Sequence, residues 1–332
     1  MTWEDLDWDA LARLRRRFIG EEPFDGPYWV SESQIASYDF TYGERIGWKW
    51  DQVLRELRLR GWQPPSGPVL DWGCGSGVAS RRLLREFGAD WCTGLTVWDH
   101  SPLAADFAAT ATAREFVGLT VAQATPGLLA GQDPVGLLVI SHVLNELPPA
   151  ALESLLVLAA RASAVVWVES GSSAVSRALG ATREKLREYF QVIAPCTHGH
   201  TCPVLAPGRE RDWCHFFAPP PAGIFADSGW VKFGQRAGID LRSLPYSFLA
   251  LDRRKPAEER AGLSRVLGRV EHLKPHARWL NCDAEGLAEL ELPKRADARL
   301  FKELERTKEP LVYRWQRDGN RVTGGEAAGA KC

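Results

Sequence analysis

No stretch of the 332 residues approaches the roughly 18 consecutive apolar residues of a membrane-spanning helix. The opening Met1-Thr-Trp-Glu-Asp-Leu-Asp7 is acidic and has no apolar core, so it reads as neither a secretory signal nor a transit peptide, and a cytoplasmic chain is the expectation. Net charge is almost absent. The 41 Lys+Arg against 42 Asp+Glu leave −1, which excludes a global field drawing the protein to nucleic acid or membrane. No internal repeat is present, which excludes a solenoid. Cysteine is sparse, and seven thiols in a reducing compartment read as packed side chains or metal ligands, not disulfides.

What is there centres on Val69-Leu-Asp-Trp-Gly-Cys-Gly-Ser-Gly77. Two apolar residues follow a Pro/Gly breaker and predict a buried strand. Gly73, Gly75 and Gly77 then remove every Cβ from a tight turn, so backbone can approach a ligand closely. Ala79, Leu83 and Phe87 predict the helix that follows, and Gly88 ends it. The pattern D-x-G-x-G-x-G resembles the first motif of class I S-adenosylmethionine (SAM) methyltransferases. Asp99 closes a second strand-like run 22 residues beyond Gly77, where a carboxylate can accept from ribose hydroxyls. A helix cap before Ser101-Pro102 is the plainer role for it. In the methyltransferases the position of Asp71 carries an acid facing the methionine ammonium.

Residues 1–60 predict helices, with a break near Gly43 and Gly47. They could cover a cofactor or simply pack, and Arg45 could reach an anionic ligand. From Val69 to about Phe217 strands and helices alternate, which implies a parallel sheet with helices on both faces. The predicted strands are Pro68–Trp72, Thr93–Trp98, Leu119–Gln123, Gly136–Ser141, Ala164–Glu169, Phe190–Ala194 and Trp213–Ala218. Ligands of such sheets bind outside the strands' carboxyl ends, where chain order reverses. That rule gathers Gly73–Gly77, Asp99, Gln123 and His142 around one crevice. His142, Asn145 and Glu146 are the polar groups after the fourth strand. The (D/N)-P-P-(Y/F/W) signature of base-amine methylases is missing there, which disfavours that chemistry, and no catalytic base follows from the sequence.

The second informative run is Pro195-Cys-Thr-His-Gly-His-Thr-Cys-Pro203, then Asp212-Trp-Cys-His-Phe216. Cys196 and Cys202 are six apart, Cys214 follows 12 later, and Cys282 is a possible fourth thiol. Four thiolates suit zinc or an iron–sulfur centre, although the spacing matches neither a zinc finger nor a ferredoxin run. Separately buried thiols are the alternative. His198, His200 and His215 could substitute as ligands. If the last two strands pair antiparallel, Cys196 ends one and Cys214 begins the other, at the same sheet edge. Cys74 and Cys92 are expected to pack, and Cys332 to lie in a loose tail.

Together the glycine turn and the cysteine runs resemble the methyltransferase-like assembly factors of the small ribosomal subunit, mitochondrial with bacterial relatives. His142-Val-Leu-Asn-Glu-Leu147, Val168–Gly171, Arg265–Arg269, Cys282 before Asp283, and Pro293–Arg295 agree with that family, across roughly residues 31 to 318. The resemblance implies a SAM pocket and a [4Fe–4S] cluster on Cys196, Cys202, Cys214 and Cys282, with zinc the alternative. The longer gap between the second and third cysteines is a departure.

The expected architecture is α/β: a class I SAM-methyltransferase, Rossmann-like sheet with an N-terminal helical segment and a small β-rich C-terminal region. The divisions are 1–60, 61–252, 253–318 and a flexible tail over 319–332. Residues 251–332 hold 18 Lys+Arg against 14 Asp+Glu, so this end could bind rRNA phosphate, or could be a solvated mixed-charge surface. Three functions compete: a methyltransferase acting on the small subunit, a non-catalytic assembly factor that binds SAM and rRNA, and a small-molecule methyltransferase. A monomer is expected.

Overall fold

The computed structural model describes residues 1–20, 29–131, 133–256 and 260–328. They divide into two compact units, each assembled from several stretches of chain. The first comprises Met1–Asp51, Pro64–Val165 and Pro219–Leu244; the second comprises Gln52–Gln63, Val166–Ala218 and Pro245–Cys332.

The first unit opens with α1 (Trp8–Phe18) and α2 (Glu32–Tyr38), capped by the Asp7 and Ser31 side chains. A π-turn over Asp39–Gly43 leads into α3 (Glu44–Leu59), which is where the sequence predicts a break. β1 (Gly67–Trp72), β2 (Cys92–Trp98), β3 (Val121–Gln123) and β4 (Val135–Ser141) follow, separated by α4 (Val78–Phe87), α5 (Pro102–Glu115) and α6 (Pro126–Ala130). Their order is β3-β2-β1-β4, and β1 pairs in parallel with both β2 and β4. Chain order therefore reverses at β1, and the crevice lies beyond the carboxyl ends of β1 and β4. α7 (Pro149–Ala159) leads to β5 (Ala162–Ser170), whose residues beyond Val165 belong to the second unit.

In the second unit, α8 (Ser173–Leu186) precedes β6 (Gln191–Ala194) and β7 (Phe216–Ala218); α9 (Ser228–Ala237), a first-unit helix, intervenes before β8 (Leu244–Asp252). β8 neighbours β5 and pairs antiparallel with β6, and β7 also pairs with β8. The antiparallel partner of β6 is thus β8, a strand absent from the sequence reading, and not Trp213–Ala218. Of Trp213–Ala218 only the last three residues are strand: β7 ends at Ala218, where Pro219-Pro-Pro221 follows and cannot donate to a ladder, and the His215 carbonyl before it accepts from Gly268 N–H instead.

The C-terminal strands are β9 (Leu263–His272), β10 (His276–Asp283), β11 (Gly286–Pro293), β12 (Val312–Asp318) and β13 (Arg321–Ala327), with α10 (Ala298–Arg306) between β11 and β12. They form a closed barrel in the order β10-β11-β13-β12-β9. Leu300, Phe301 and Leu304 of α10 pack with Val266, Trp279, Leu290 and Val322 in its core. The small β-rich region is therefore a closed barrel. Its last strand occupies Arg321–Ala327, inside the stretch expected to be a flexible tail, because Val322 is fully buried and β13 pairs with β12. Cys332 lies outside the described residues.

Candidate SAM and cysteine sites

Asp71 ends β1 with no exposed surface. Its Oδ2 accepts from the Ser80 hydroxyl at 2.7 Å, while Oδ1 is buried with no hydrogen-bond partner among the described residues. Burial pushes the carboxyl up to about 6, against the downward pull of Ser80. An orphaned acceptor at this depth is costly unless a ligand donor reaches it.

The glycine turn holds itself. Gly73 and Cys74 N–H groups donate to the Trp98 carbonyl at 2.8 and 2.9 Å, and Gly77 N–H donates to the Cys74 carbonyl at 2.7 Å. Gly75 N–H donates to Asp99 Oδ2 at 2.9 Å, and Asp99 Oδ1 accepts from Ser101 N–H at 2.9 Å. These four N–H groups are therefore not aimed at a ligand; what the turn offers is shape. At Gly75 (φ +52°) a Cβ would meet no atom within 4 Å, so open space stands over it. At Gly77 (φ +78°) a Cβ would lie 3.0 Å from Ala108 Cβ and 3.2 Å from its Cα, so α5 closes in there. The cap of α5 is Ser101, whose hydroxyl accepts from Ala104 N–H; Asp99 braces the turn before it and can also accept from a ligand, since each carboxylate oxygen has a further lone pair. Burial raises its pKa.

The N-terminal helices cover this turn. A Cβ on Gly43 would stand 3.4 Å from Ser76 Oγ, and Arg81 joins Asp39 to the Ser76 and Gly77 carbonyls. Tyr38 is half-buried, and desolvation followed by the Glu146, Asp39 and Asp99 carboxylates raises its hydroxyl pKa. Arg45 donates instead to the Asp240 carbonyl at 3.4 Å.

His142 has φ +57°, unusual for a residue with a side chain. Lys49 Nζ lies 3.1 Å from its Nε2, and Ser141 Oγ 3.2 Å from its Nδ1. An ammonium only donates, so Nε2 is the acceptor and Nδ1 carries the proton. Burial and the Lys49 charge hold the imidazole neutral, well below its usual pKa. Trp50 Nε1 donates to Ser141 Oγ at 3.0 Å. Sequence reasoning missed Lys49 and Trp50, because they lie 93 and 91 residues from His142 and Ser141 and only the fold brings them there. Gln123 is exposed on edge strand β3 and bonds Asp106. Asn145 lies after β4, in the stretch before α7.

All four candidate cysteine ligands lie in the second unit. Cys196 follows β6, Cys202 precedes a short 3₁₀ turn, Cys214 stands before β7, and Cys282 is on β10. Burial raises the Cys214 thiol, and the Cys196, Cys202 and Cys282 thiolates raise it further. Cys282 is raised by burial, then by Cys196 and Cys202. The four sulfurs are therefore within electrostatic reach of one another. Yet no group of three or more His, Cys, Asp or Glu among the described residues is arranged about a single ion. Neither an iron–sulfur centre nor its zinc alternative is thereby shown.

Buried guanidiniums grip the same turn. Arg60 donates to the Pro195 carbonyl at 2.8 Å and the Cys196 carbonyl at 3.3 Å. Arg183 donates to the His198 and His200 carbonyls at 3.2 and 2.9 Å. Glu56 takes Arg60 at 2.8 Å and Arg265 at 2.9 Å, all three buried. The three cations are offset by the buried Glu56, by the half-buried Glu184 beside Arg183 and by the buried Asp283 next to Cys282, whose charge adds to the upward shift of that thiol. His198 Nε2 is 3.8 Å from Cys282 Sγ, and burial and the Arg183 charge lower its pKa to about 4. His215 instead stacks on Trp213.

The sequence pattern described as "Mitochondrial small ribosomal subunit Rsm22" matches residues 100–307, well over half the chain. The chain belongs to the Rsm22 family. The matched span contains the four cysteines, and the glycine turn of this Rsm22-family chain lies before it. No curated protein matches the chain significantly. Among solved structures, magnesium protoporphyrin IX methyltransferase from Synechocystis PCC 6803 with bound SAH is similar over 74% of this chain and 95% of that one, at 14% identity and TM-score 0.40. A SAM-dependent methyltransferase from Aquifex aeolicus is similar over 52% of this chain and 94% of that one, at 16% identity and TM-score 0.37. The Rossmann-like fold rests on the strand order above and not on these likenesses. No helix among the described residues is long and apolar enough to cross a membrane.

Proposed function

We propose that this Rsm22-family protein binds SAM and acts on the RNA of the small ribosomal subunit, as a methyltransferase or as an assembly factor carrying a methyltransferase fold. The observation that carries SAM binding is the preformed turn. It has open space over Gly75, an orphaned Asp71 oxygen below, and Asp99 fixed beside it. Asp71 would receive the amino acid ammonium, and Asp99 the ribose hydroxyls. SAM supplies an electrophilic methyl on sulfur. The chain's own contribution is to position it and to keep water out with the helices around Tyr38 and Gly43. Gly73, Gly77, Gln123 and His142 complete the proposed site. The neutral His142 would be the nearest group able to take a proton at Nε2 once Lys49 moves away. A small-molecule methyltransferase is the weaker reading, because family membership points to the ribosome.

The four cysteines are proposed to hold a [4Fe–4S] cluster. Each ligand of such a cluster binds a different iron, so its sulfurs stand further apart than around one ion. The electrostatic reach of the four thiols on one another supports a shared centre, and the resemblance of the cysteine runs favours the cluster over zinc. A cytoplasmic monomer remains the proposed state.

The deciding experiment is crosslinking to RNA in cells with mapping of methyl marks in a strain lacking the protein. Small-subunit crosslinks with a lost mark support the enzyme. Crosslinks with every mark retained support the assembly factor. Absence of crosslinks refutes both.

A further inference from the structure

We infer that the outer face of the C-terminal barrel, with the segment Arg211–Phe217 as its wall, is a single-strand RNA groove in which bases stack on aromatic rings. This rests on the reading that the protein acts on small-subunit RNA, and it names the surface that reading leaves unassigned.

The topology comes first. Numbered from β9, the barrel strands close in the order 1-2-3-5-4, with strands 3 and 5 (β11 and β13) parallel and α10 between strands 3 and 4. This is the arrangement of the oligonucleotide-binding barrels, which take their ligand across the outer face of strands 2 and 3. A shared fold does not assign a ligand, so the face itself must.

A groove of about 440 Å³ lies beside that face, over strands 1 and 2, with Glu289 of strand 3 at its edge. Its floor comes from alternate residues of β9 and β10. Val266, Ala277 and Trp279 belong to the barrel core, Trp279 also reaching the groove, while Leu267, Arg269, Arg278 and Leu280 line it. Its wall is aromatic. Trp213 and His215 stack with centroids 4.6 Å apart at 17°, Phe217 meets His215 edge-on at 5.4 Å, and the Arg269 guanidinium sits 4.1 Å from the Phe217 ring centre. The wall is fixed to the floor. Gly268 N–H donates to the His215 carbonyl at 2.8 Å, and a Cβ on Gly268 would come within 3.2 Å of the His215 ring. All these residues belong to one unit.

Rings beside guanidiniums suit nucleobases and phosphates together. Arg278 is paired with Glu271 at 2.6 Å, but both side chains are about half exposed, so a phosphate can replace that carboxylate at little cost. Arg211, Arg269 and Arg278 are offset by Asp212, Glu271 and Glu289 within the groove. The field is therefore weak, and stacking supplies the affinity. Rigid duplexes hide the base faces this wall would need.

The test is fluorescence anisotropy of the full chain with a labelled oligouridine, of a length that one such barrel spans (about 4–16 nucleotides), and with the corresponding RNA duplex. The single strand should bind in preference. Phe217→Ala and Arg269→Ala should each weaken it about fivefold or more, Phe217→Tyr should retain it, and thermal unfolding should be unchanged in Arg269→Ala. Equal affinity for the duplex, or wild-type affinity in both alanine variants, would overturn the groove. So would capture of a peptide with no RNA. If those variants still crosslink to small-subunit RNA in cells, the groove is wrong and the proposed function stands. If the unaltered chain binds no RNA at all, both fall.

Discussion

Gly75 and Gly77 stand two residues apart, both left-handed, and do different work. At Gly77 an added Cβ runs into the Cα of Ala108, which is backbone and cannot step aside. Gly77→Ala should therefore cost about 2 kcal/mol or more of stability. At Gly75 the same Cβ enters open space, so Gly75→Ala should cost only the backbone strain, about 1–2 kcal/mol, while abolishing SAM binding measured by calorimetry. Unchanged SAM affinity in Gly75→Ala would remove the turn from the proposed site. Asp71 makes a prediction of opposite flavour. Its folded pKa, about 6, is above its ordinary 3.8, so the folded chain holds that proton more tightly than the unfolded one. The resulting stability is full below about pH 4 and is lost as pH rises through about 6, by a few kcal/mol at most, on the order of 1.4 per unit. Denaturant titrations of the wild type and Asp71→Asn across pH 4 to 7 should diverge in that window and run parallel outside it. SAM, whose ammonium favours the carboxylate, should flatten the wild-type slope.

At the scale of elements, the cysteine turn is clamped from three sides, by Arg60, by Arg183 and by β10 through Cys282. If a cluster sits there, its binding is folding free energy for these elements. Cys282→Ser should lower iron and sulfide per chain and increase proteolysis of the barrel, while leaving SAM affinity unchanged. Anaerobically purified wild type should be brown and bleached by dithionite. Stoichiometric zinc without iron would refute the cluster. The glycine turn, α4 and the first strands were legible because their signals are local: glycines needing positive φ, and apolar residues at helical spacing. β8 was not, although Leu244–Asp252 is buried at every position but Pro245. A run without alternation, opened by proline, carries no periodic signature. Trp213–Ala218 invited the opposite error: it is strand-like in composition, but only its last three residues are strand, while the His215 carbonyl is taken by Gly268 of β9.

For the whole molecule, what escaped the sequence is whatever distance in the chain conceals. Lys49 meeting His142, Arg265 meeting Glu56, and β12 closing on β9 each join residues that no local pattern links. The basic character of the last 82 residues was legible, but it does not concentrate in the barrel groove, where acids offset the arginines. The interleaving of the two units carries a consequence for how such a chain is made. Most domains emerge from the ribosome whole, one after another. Here the nascent chain alternates, visiting each unit three times. The unit with the glycine turn lacks its final stretch until Leu244 has been added, and the cysteine unit waits for the last strand of the barrel. Translation therefore leaves two half-built cores side by side for most of its course. A chaperone that shelters them, or a pause that delays one, should govern the yield of active protein more than the final stability does.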